Sequence, residues 1–313
     1  MTRYIGLVFI GLMLMQPVHG MLAHRDITSV GTSAGMIGLG HIQGFSKNSS
    51  VIFENPASLR SAGNTATLFY TSFFGDVSRY MSTSLTYKVS PYASVGVGLI
   101  SEDIGNNDLT SVDSNNEIYV SGTFQVRASQ IYLSSSYALD SQTDLGVSLI
   151  QYDASMYTLK GTGMDFMVGF SRRVDTWVVQ GFAKNILGGV MSYQDGSKEK
   201  LPMSYGFSAK SDALDTLWLT PEFFAQVNMV SDLTGHSGML TKNLGARLYP
   251  LAFLKDFTMS VGYRDVHNGQ SVKGAFSLGL SMQLTRVSLD YAYNATDVVE
   301  QESQHYFSVS YRY

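Results

Sequence analysis

The first chemistry the sequence offers is a nucleophile. Gly31-Thr32-Ser33-Ala34-Gly35 matches G-x-S-x-G, the strand-to-helix turn that lifts a serine hydroxyl out of an α/β sheet for attack on an ester. That chemistry needs a base and strands alternating with helices, and neither follows. Beyond residue 20 the histidines are His24, His41, His236, His267 and His305, and none is spaced for metal ligation with another. His236 and His267 fall between patterned segments and read as surface imidazoles. The chain has no Cys, which excludes thiolate nucleophiles, thiolate metal sites and disulfides. Gly38-Leu39-Gly40 is too fragmentary for a dinucleotide fingerprint. The glycines around Ser33 therefore read as packing positions, and the chain as a non-enzyme without catalytic residues, metal or cofactor.

The second chemistry is charge recognition. Lys88, Asp165, Arg172, Lys184, Glu222, Arg247, Arg264, Arg286, Asp290 and Arg312 fall on one face of the alternating segments described below. Mixed signs read as ion pairs bracing a wall. The slight excess of Arg, with Arg247, Arg264 and Arg286 as ligand-binding candidates, would hold an anionic head group such as a carboxylate. Met36, Ile37 and Leu39 read as exposed apolar residues beside which an acyl chain would lie.

The elements that must position these groups follow from composition and period. Lys and Arg number 21 against 25 Asp and Glu, a net charge of -4, and 15% of residues are charged. A soluble domain carries about 25%. The chain has 19 Tyr, 17 Phe and 30 Gly but 6 Pro, a strand-and-turn palette. No Lys/Arg run supports a nucleic-acid partner. Residues Met1 to Gly20 carry Arg3, an apolar stretch from Tyr4 to Met15, Pro17, and small residues at Val18 and Gly20. This is a signal-peptide layout, too short for the roughly 20 residues that cross a bilayer as a helix.

From Thr65 onward the period is two. Phe307, Val309, Tyr311 and Tyr313 alternate with Ser308, Ser310 and Arg312, and Phe276, Leu278, Leu280 and Met282 alternate with Ser277, Gly279 and Ser281. A large apolar face opposite a face of Ser, Gly, Thr and Asn suits lipid outside and a narrow polar lumen inside. Segments begin near residues 65, 79, 92, 128, 143, 161, 176, 203, 217, 239, 257, 272, 285 and 304. They predict an all-β transmembrane antiparallel barrel of about 14 strands, with Tyr at segment ends meeting the interfaces. Residues 102–125, rich in Asn, Asp and Ser, read as an extracellular loop, of which 117–124 would be able to extend a strand. The predicted organisation is a signal peptide at 1–20, a luminal hatch at 21–63 and a barrel at 64–313.

Several motifs carry a resemblance. Gly31-Thr-Ser-Ala-Gly-Met-Ile-Gly-Leu-Gly40 is followed by Phe53-Glu-Asn-Pro-Ala-Ser-Leu59. Downstream come Gly181-Phe-Ala-Lys-Asn-Ile-Leu-Gly-Gly189 with Leu201-Pro202, then Asn243-Leu-Gly-Ala-Arg247, Val261-Gly-Tyr-Arg264 and Ser288-Leu-Asp-Tyr-Ala-Tyr293. In this order they resemble the PorV/PorQ family within the wider fatty acid transporter (FadL) superfamily. The resemblance implies a fourteen-stranded outer-membrane barrel with an N-terminal hatch, contacting outer-membrane lipid. It implies passage or binding of hydrophobic, fatty-acid-like small molecules. The alternative it carries is a protein-handling component of a type IX-like secretion system that binds exported proteins at the cell surface. Its hatch motif falls on Asn55, Pro56 and Ala57. Asn55 can bond neighbouring backbone, Pro56 holds Asn55 extended, and Ala57 lets the turn lie against the wall. The motif continues to Ser58, where many relatives have Gly.

Overall fold

A computed structural model describes residues 27–73, 77–113, 115–214, 219–231, 239–250, 256–268, 271–296 and 304–313. The expected signal peptide at 1–20, His24 and His236 lie outside the described residues.

Two-residue periodicity becomes sixteen strands. They are β1 (Thr65–Phe73), β2 (Ser78–Lys88), β3 (Ala93–Val112), β4 (Ile118–Ala138), β5 (Thr143–Met156), β6 (Leu159–Val174), β7 (Trp177–Lys184) and β8 (Val190–Tyr193). There follow β9 (Lys198–Lys200), β10 (Ser204–Ser211), β11 (Leu219–Val230), β12 (Met239–Pro250), β13 (Phe257–Asn268), β14 (Ser271–Gln283), β15 (Val287–Thr296) and β16 (Gln304–Arg312). Fourteen of them, all but β8 and β9, pair antiparallel with their neighbours in the order of the chain. The ring closes where β1 meets β16, from Thr65↔Arg312 to Tyr70↔Phe307. Closure leaves no open edge, which is what a sheet in hydrocarbon requires. Thr65 and Arg312 mark the terminal end of the barrel; the opposite mouth, where β3 turns into β4, is the distal end.

Thirteen barrel strands start within two residues of where alternation places them. The exception is β4, and it corrects the expected loop at 102–125. There β3 and β4 run on as a paired hairpin, with register shifts between Ile104 and Asn107 and between Leu109 and Thr110. Its far part has no buried face: Tyr119 and Val120 are as exposed as Ile118. Alternation disappears from a sequence when neither face of the ladder is buried, although pairing continues. His267 also belongs to β13 rather than to a connection.

A second departure is a break in the wall. β7 stops at Lys184, and the chain leaves the ladder through Asn185, whose φ is 60°. β8 then resumes beside β6, pairing Tyr193 with Gly161, and among the described residues β9 pairs only with β8. Buried Asp165 holds the step by accepting from the backbone N–H of Leu187 at 3.0 Å and Gly189 at 2.6 Å.

The outward face carries Leu244, Phe276, Leu278, Leu280 and Phe307, all exposed, while Asn243, Ser277 and Ser308 point inward and are buried. Such a face is stable only against hydrocarbon. Leu278→Arg is therefore expected to lower folding stability in lipid vesicles by about 2–4 kcal/mol, the midplane cost of a cation on a barrel's lipid face. A urea titration of the reconstituted protein reads this loss.

Candidate functional site

Residues 27–62 fold as short turns inside the barrel. Three helical turns, α1 (Ala34–Gly38), α2 (Val51–Glu54) and α3 (Leu59–Ala62), are joined by irregular chain, with 3-10 turns at Ile27–Val30 and Pro56–Ser58. None is long enough to be stable alone, so burial and side-chain caps must hold them. Glu54 does most of this. Its carboxylate is fully buried and accepts from Ser46 Oγ at 2.7 Å, the Gly44 N–H at 2.8 Å, Thr32 Oγ1 at 3.1 Å and Ser50 Oγ at 3.1 Å. Burial pushes the Glu54 carboxyl above the usual glutamate range, and these four bonds oppose the push. Ser33, at the centre of the G-x-S-x-G match, caps α1 by accepting from the Met36 N–H at 3.2 Å.

The hatch motif attaches this core to the wall. Asn55 Oδ1 accepts from the Ala57 N–H at 3.0 Å, and Asn55 Nδ2 donates to the Phe170 carbonyl and to Gln180 Oε1, each at 3.2 Å. The inner wall is cut back to receive it: a Cβ on Gly169 would sit 2.0 Å from Asn55 Oδ1. Arg60 adds a two-pronged ion pair with Asp144 of β5, at 2.7 and 3.1 Å. Met36, Ile37 and Leu39, expected to be exposed, are instead buried against the wall. Short turns with one apolar residue per side have no other place to put them.

The hatch divides the lumen. Gly245 of β12 pairs with Gly262 of β13, and Leu39-Gly40 lies on that pair; a Cβ on Gly262 would come within 2.0 Å of the Gly40 nitrogen. β12 runs towards the terminal end and β13 away from it. Arg247 and Arg264, each two residues past the glycine pair, thus lie on opposite sides of the hatch. The three sequence candidates do not form one site: Arg247 and Arg286 share a terminal cavity, and Arg264 lies on the distal side of the hatch.

On the distal side of the hatch the inward face departs from the small polar pattern and closes into a packed apolar cluster. Phe69, Tyr80, Ile100, Tyr132, Ile150, Tyr152, Met167 and Tyr306 are buried inside the barrel and merge with Ile27, Ile37, Ile52 and Phe53 of the hatch. Phe69 stacks on Tyr306 with centroids 6.1 Å apart and meets Tyr80 edge-on at 5.7 Å. Phe53 meets Tyr132 edge-on at 5.1 Å. Sequence reasoning gave the aromatics to lipid; strand phase was the signal that would have found these, since Phe69 shares its parity with Thr67 and Thr71.

Facing them is a polar wall. Arg264 Nη1 lies 3.3 Å from His41 Nδ1, and among the described residues no carboxylate forms an ion pair with Arg264. Burial, and then the Arg264 charge, hold the His41 imidazole well below 6.5 and hence neutral. With Nδ1 accepting, Nε2 carries the proton. That N–H and Arg264 Nε are both buried without a partner, two orphan donors at one spot. Of the other charges read as inward, Lys184 is buried and lies 5.7 Å from the Tyr132 ring centroid, whereas Lys88 and Arg172 are exposed at the terminal end.

The terminal cavity, about 270 Å³, is lined by Lys47, Arg247, Tyr249, Asp256, Arg286, Asp290 and Arg312 among others. A larger hollow of about 650 Å³ opens on the outside of the wall, where Gly181 and Ala183 leave a gap beside Leu145, Phe170 and Phe207, and it is no part of the lumen.

Two outcomes follow. Glu54→Ala leaves the buried Gly44 N–H without its acceptor and takes the nearest acceptor from the Ser46 hydroxyl, at about 1–3 kcal/mol for each group left unsatisfied, while Ser50 keeps Asn48 Oδ1 at 2.6 Å. Planar-bilayer recordings are expected to show larger and more frequent conductance steps than wild type, with Glu54→Gln between the two. His41 binds a proton less readily in the seated hatch than when released. Seating therefore weakens as pH falls below about 6.5, and hydrogen exchange of residues 36–45 is expected to speed up over that interval in wild type but not in His41→Gln.

No family model matches the chain, and no curated protein matches it either. Solved structures do. The CymD monoaromatic hydrocarbon channel aligns at a TM-score of 0.59 and 12% identity, over 91% of this chain and 98% of its own. The Ralstonia pickettii toluene transporter TbuX aligns at 0.57 and 10%, over 94% and 99%. A Pseudomonas aeruginosa FadL homologue aligns at 0.56 and 11%, over 89% and 97%. The chain thus shares, along nearly its whole length, the barrel fold of these FadL-type proteins.

Proposed function

We propose that this protein is a channel of the Gram-negative outer membrane for small hydrophobic molecules, exported by its Met1–Gly20 segment, with residues 21–63 as the hatch that occludes it. The observation that carries the reading is the distal side of the hatch, where an apolar, aromatic-rich cluster fills the barrel beside Arg264, which has no ion-pair partner among the described residues. A hydrocarbon that displaced these side chains would meet apolar surroundings, and the orphan donors of Arg264 and His41 suit a ligand bearing a single acceptor or carboxylate. The fold shared with a monoaromatic hydrocarbon channel and a toluene transporter supports the same class. None of the arrangement supports bond-making chemistry, since Ser33 is spent on a helix cap.

In a strain lacking hydrocarbon porins, expression is expected to raise uptake of labelled toluene above the empty vector. Ile100→Lys, placing a charge in this cluster, is expected to return uptake to background while heat-modifiable gel migration stays that of a folded barrel. Arg264→Gln is expected to reduce benzoate uptake roughly tenfold, about 1.4 kcal/mol, and toluene uptake little. Uptake no greater than the empty vector overturns the proposal.

A second reading, PorV/PorQ-type handling of exported proteins, is favoured by one observation. The β3–β4 hairpin carries exposed Val112, Ile118, Tyr119 and Val120 at the distal end. Pull-down of surface proteins by the full chain, lost on deleting residues 107–123, would support it.

A further inference from the structure

The terminal cavity lies on the other side of the hatch from the apolar cluster that carries the passage reading, and its electrostatics ask for an occupant of their own. Four cationic side chains line it, Lys47 from the hatch and Arg247, Arg286 and Arg312 from the wall, against two carboxylates, Asp256 and Asp290. Arg247 is engaged at 3.3 Å with Glu222, which also accepts from Lys210 at 3.1 Å. Among the described residues Arg286 and Arg312 form no ion pair.

Lys47 is the sensitive member. Its Nζ donates to Tyr249 Oη at 2.7 Å, and Tyr249 Oη donates on to Glu222 at 2.9 Å. Burial first, then the Arg247 charge, hold the Lys47 amine below its ordinary range; Glu222 opposes this and Arg312 adds to it. Among the described residues the cations of this lining outnumber its carboxylates four to two. A guanidinium fork beside an ammonium is the donor set that takes a planar oxyanion. The carboxylates of Asp256 and Asp290 in the same lining repel a dianion, so the fit is to a single negative charge.

We propose that the terminal cavity is a binding site for a monocarboxylate, which bridges Lys47 of the hatch to Arg286 and Arg312 of the wall. The group arrives either as a small free carboxylate or as the head of a molecule leaving the lumen. Only the second source rests on the passage reading, so the two claims fail separately.

The test uses the full chain in lipid nanodiscs with its lysines ¹³C-dimethylated, which keeps their charge. The Lys47 signal is assigned by its loss in Lys47→Arg. Saturating acetate or benzoate is expected to raise its titration midpoint by a unit or more over chloride at equal ionic strength. In Arg286→Gln/Arg312→Gln the ligand-free midpoint is expected to rise and the response to vanish. A response to both ligands supports the site for free carboxylates. A response to benzoate alone supports it for a tail-bearing cargo. No response, a response that survives in the double variant, or a stronger response to inorganic phosphate overturns the proposal.

Discussion

A single buried carboxyl group organises the segment that fills this barrel. Glu54 receives four hydrogen bonds from Thr32, Gly44, Ser46 and Ser50, drawing together three stretches of chain that have too few residues to hold themselves. No cation pairs with it among the described residues, so its stability in the interior depends on those donors staying in place. The dependence runs both ways: without the carboxyl group the Gly44 N–H is orphaned, and without the donors the buried carboxyl is.

The shape of the hatch explains why the wall is glycine-cut where it is and why the two sides of the hatch are unlike. Leu39-Gly40 sits on the Gly245↔Gly262 pair and Asn55-Pro56 sits on Gly169, so the hatch meets backbone rather than side chains. On its distal side it presents Ile27, Ile52 and Phe53 to inward aromatics. On its terminal side it presents Lys47 to a ring of arginines and aspartates. The two sides of the hatch thus differ in chemistry, apolar and aromatic on one and charged on the other.

How much of this was legible in the residues depended on burial. Where one face of a strand meets lipid, alternation is strict, and β13 to β16 could be placed almost to the residue from Phe257, Phe276 and Phe307 and their neighbours. Where neither face is buried, as in β3 beyond Ile104, the period vanishes while the ladder goes on. The short β8–β9 hairpin left no signal because its pattern spans three or four residues. Arg264 was singled out as an inward cation. Its partner His41 was not, because a lone histidine among glycines shows no spacing, and Phe69 or Tyr80 look the same in sequence whether they face lipid or lumen until strand phase is counted.

The claim on which the account rests is that the apolar cluster on the distal side of the hatch receives the cargo. Crystals soaked with 4-bromobenzoate and measured at the bromine absorption edge test it most directly. The account predicts an anomalous peak inside the barrel among Tyr80, Tyr132 and Tyr306, with the carboxylate turned towards Arg264. Bromine found only in the hollow outside the wall beside Phe170 and Phe207, with the lumen empty, would contradict it.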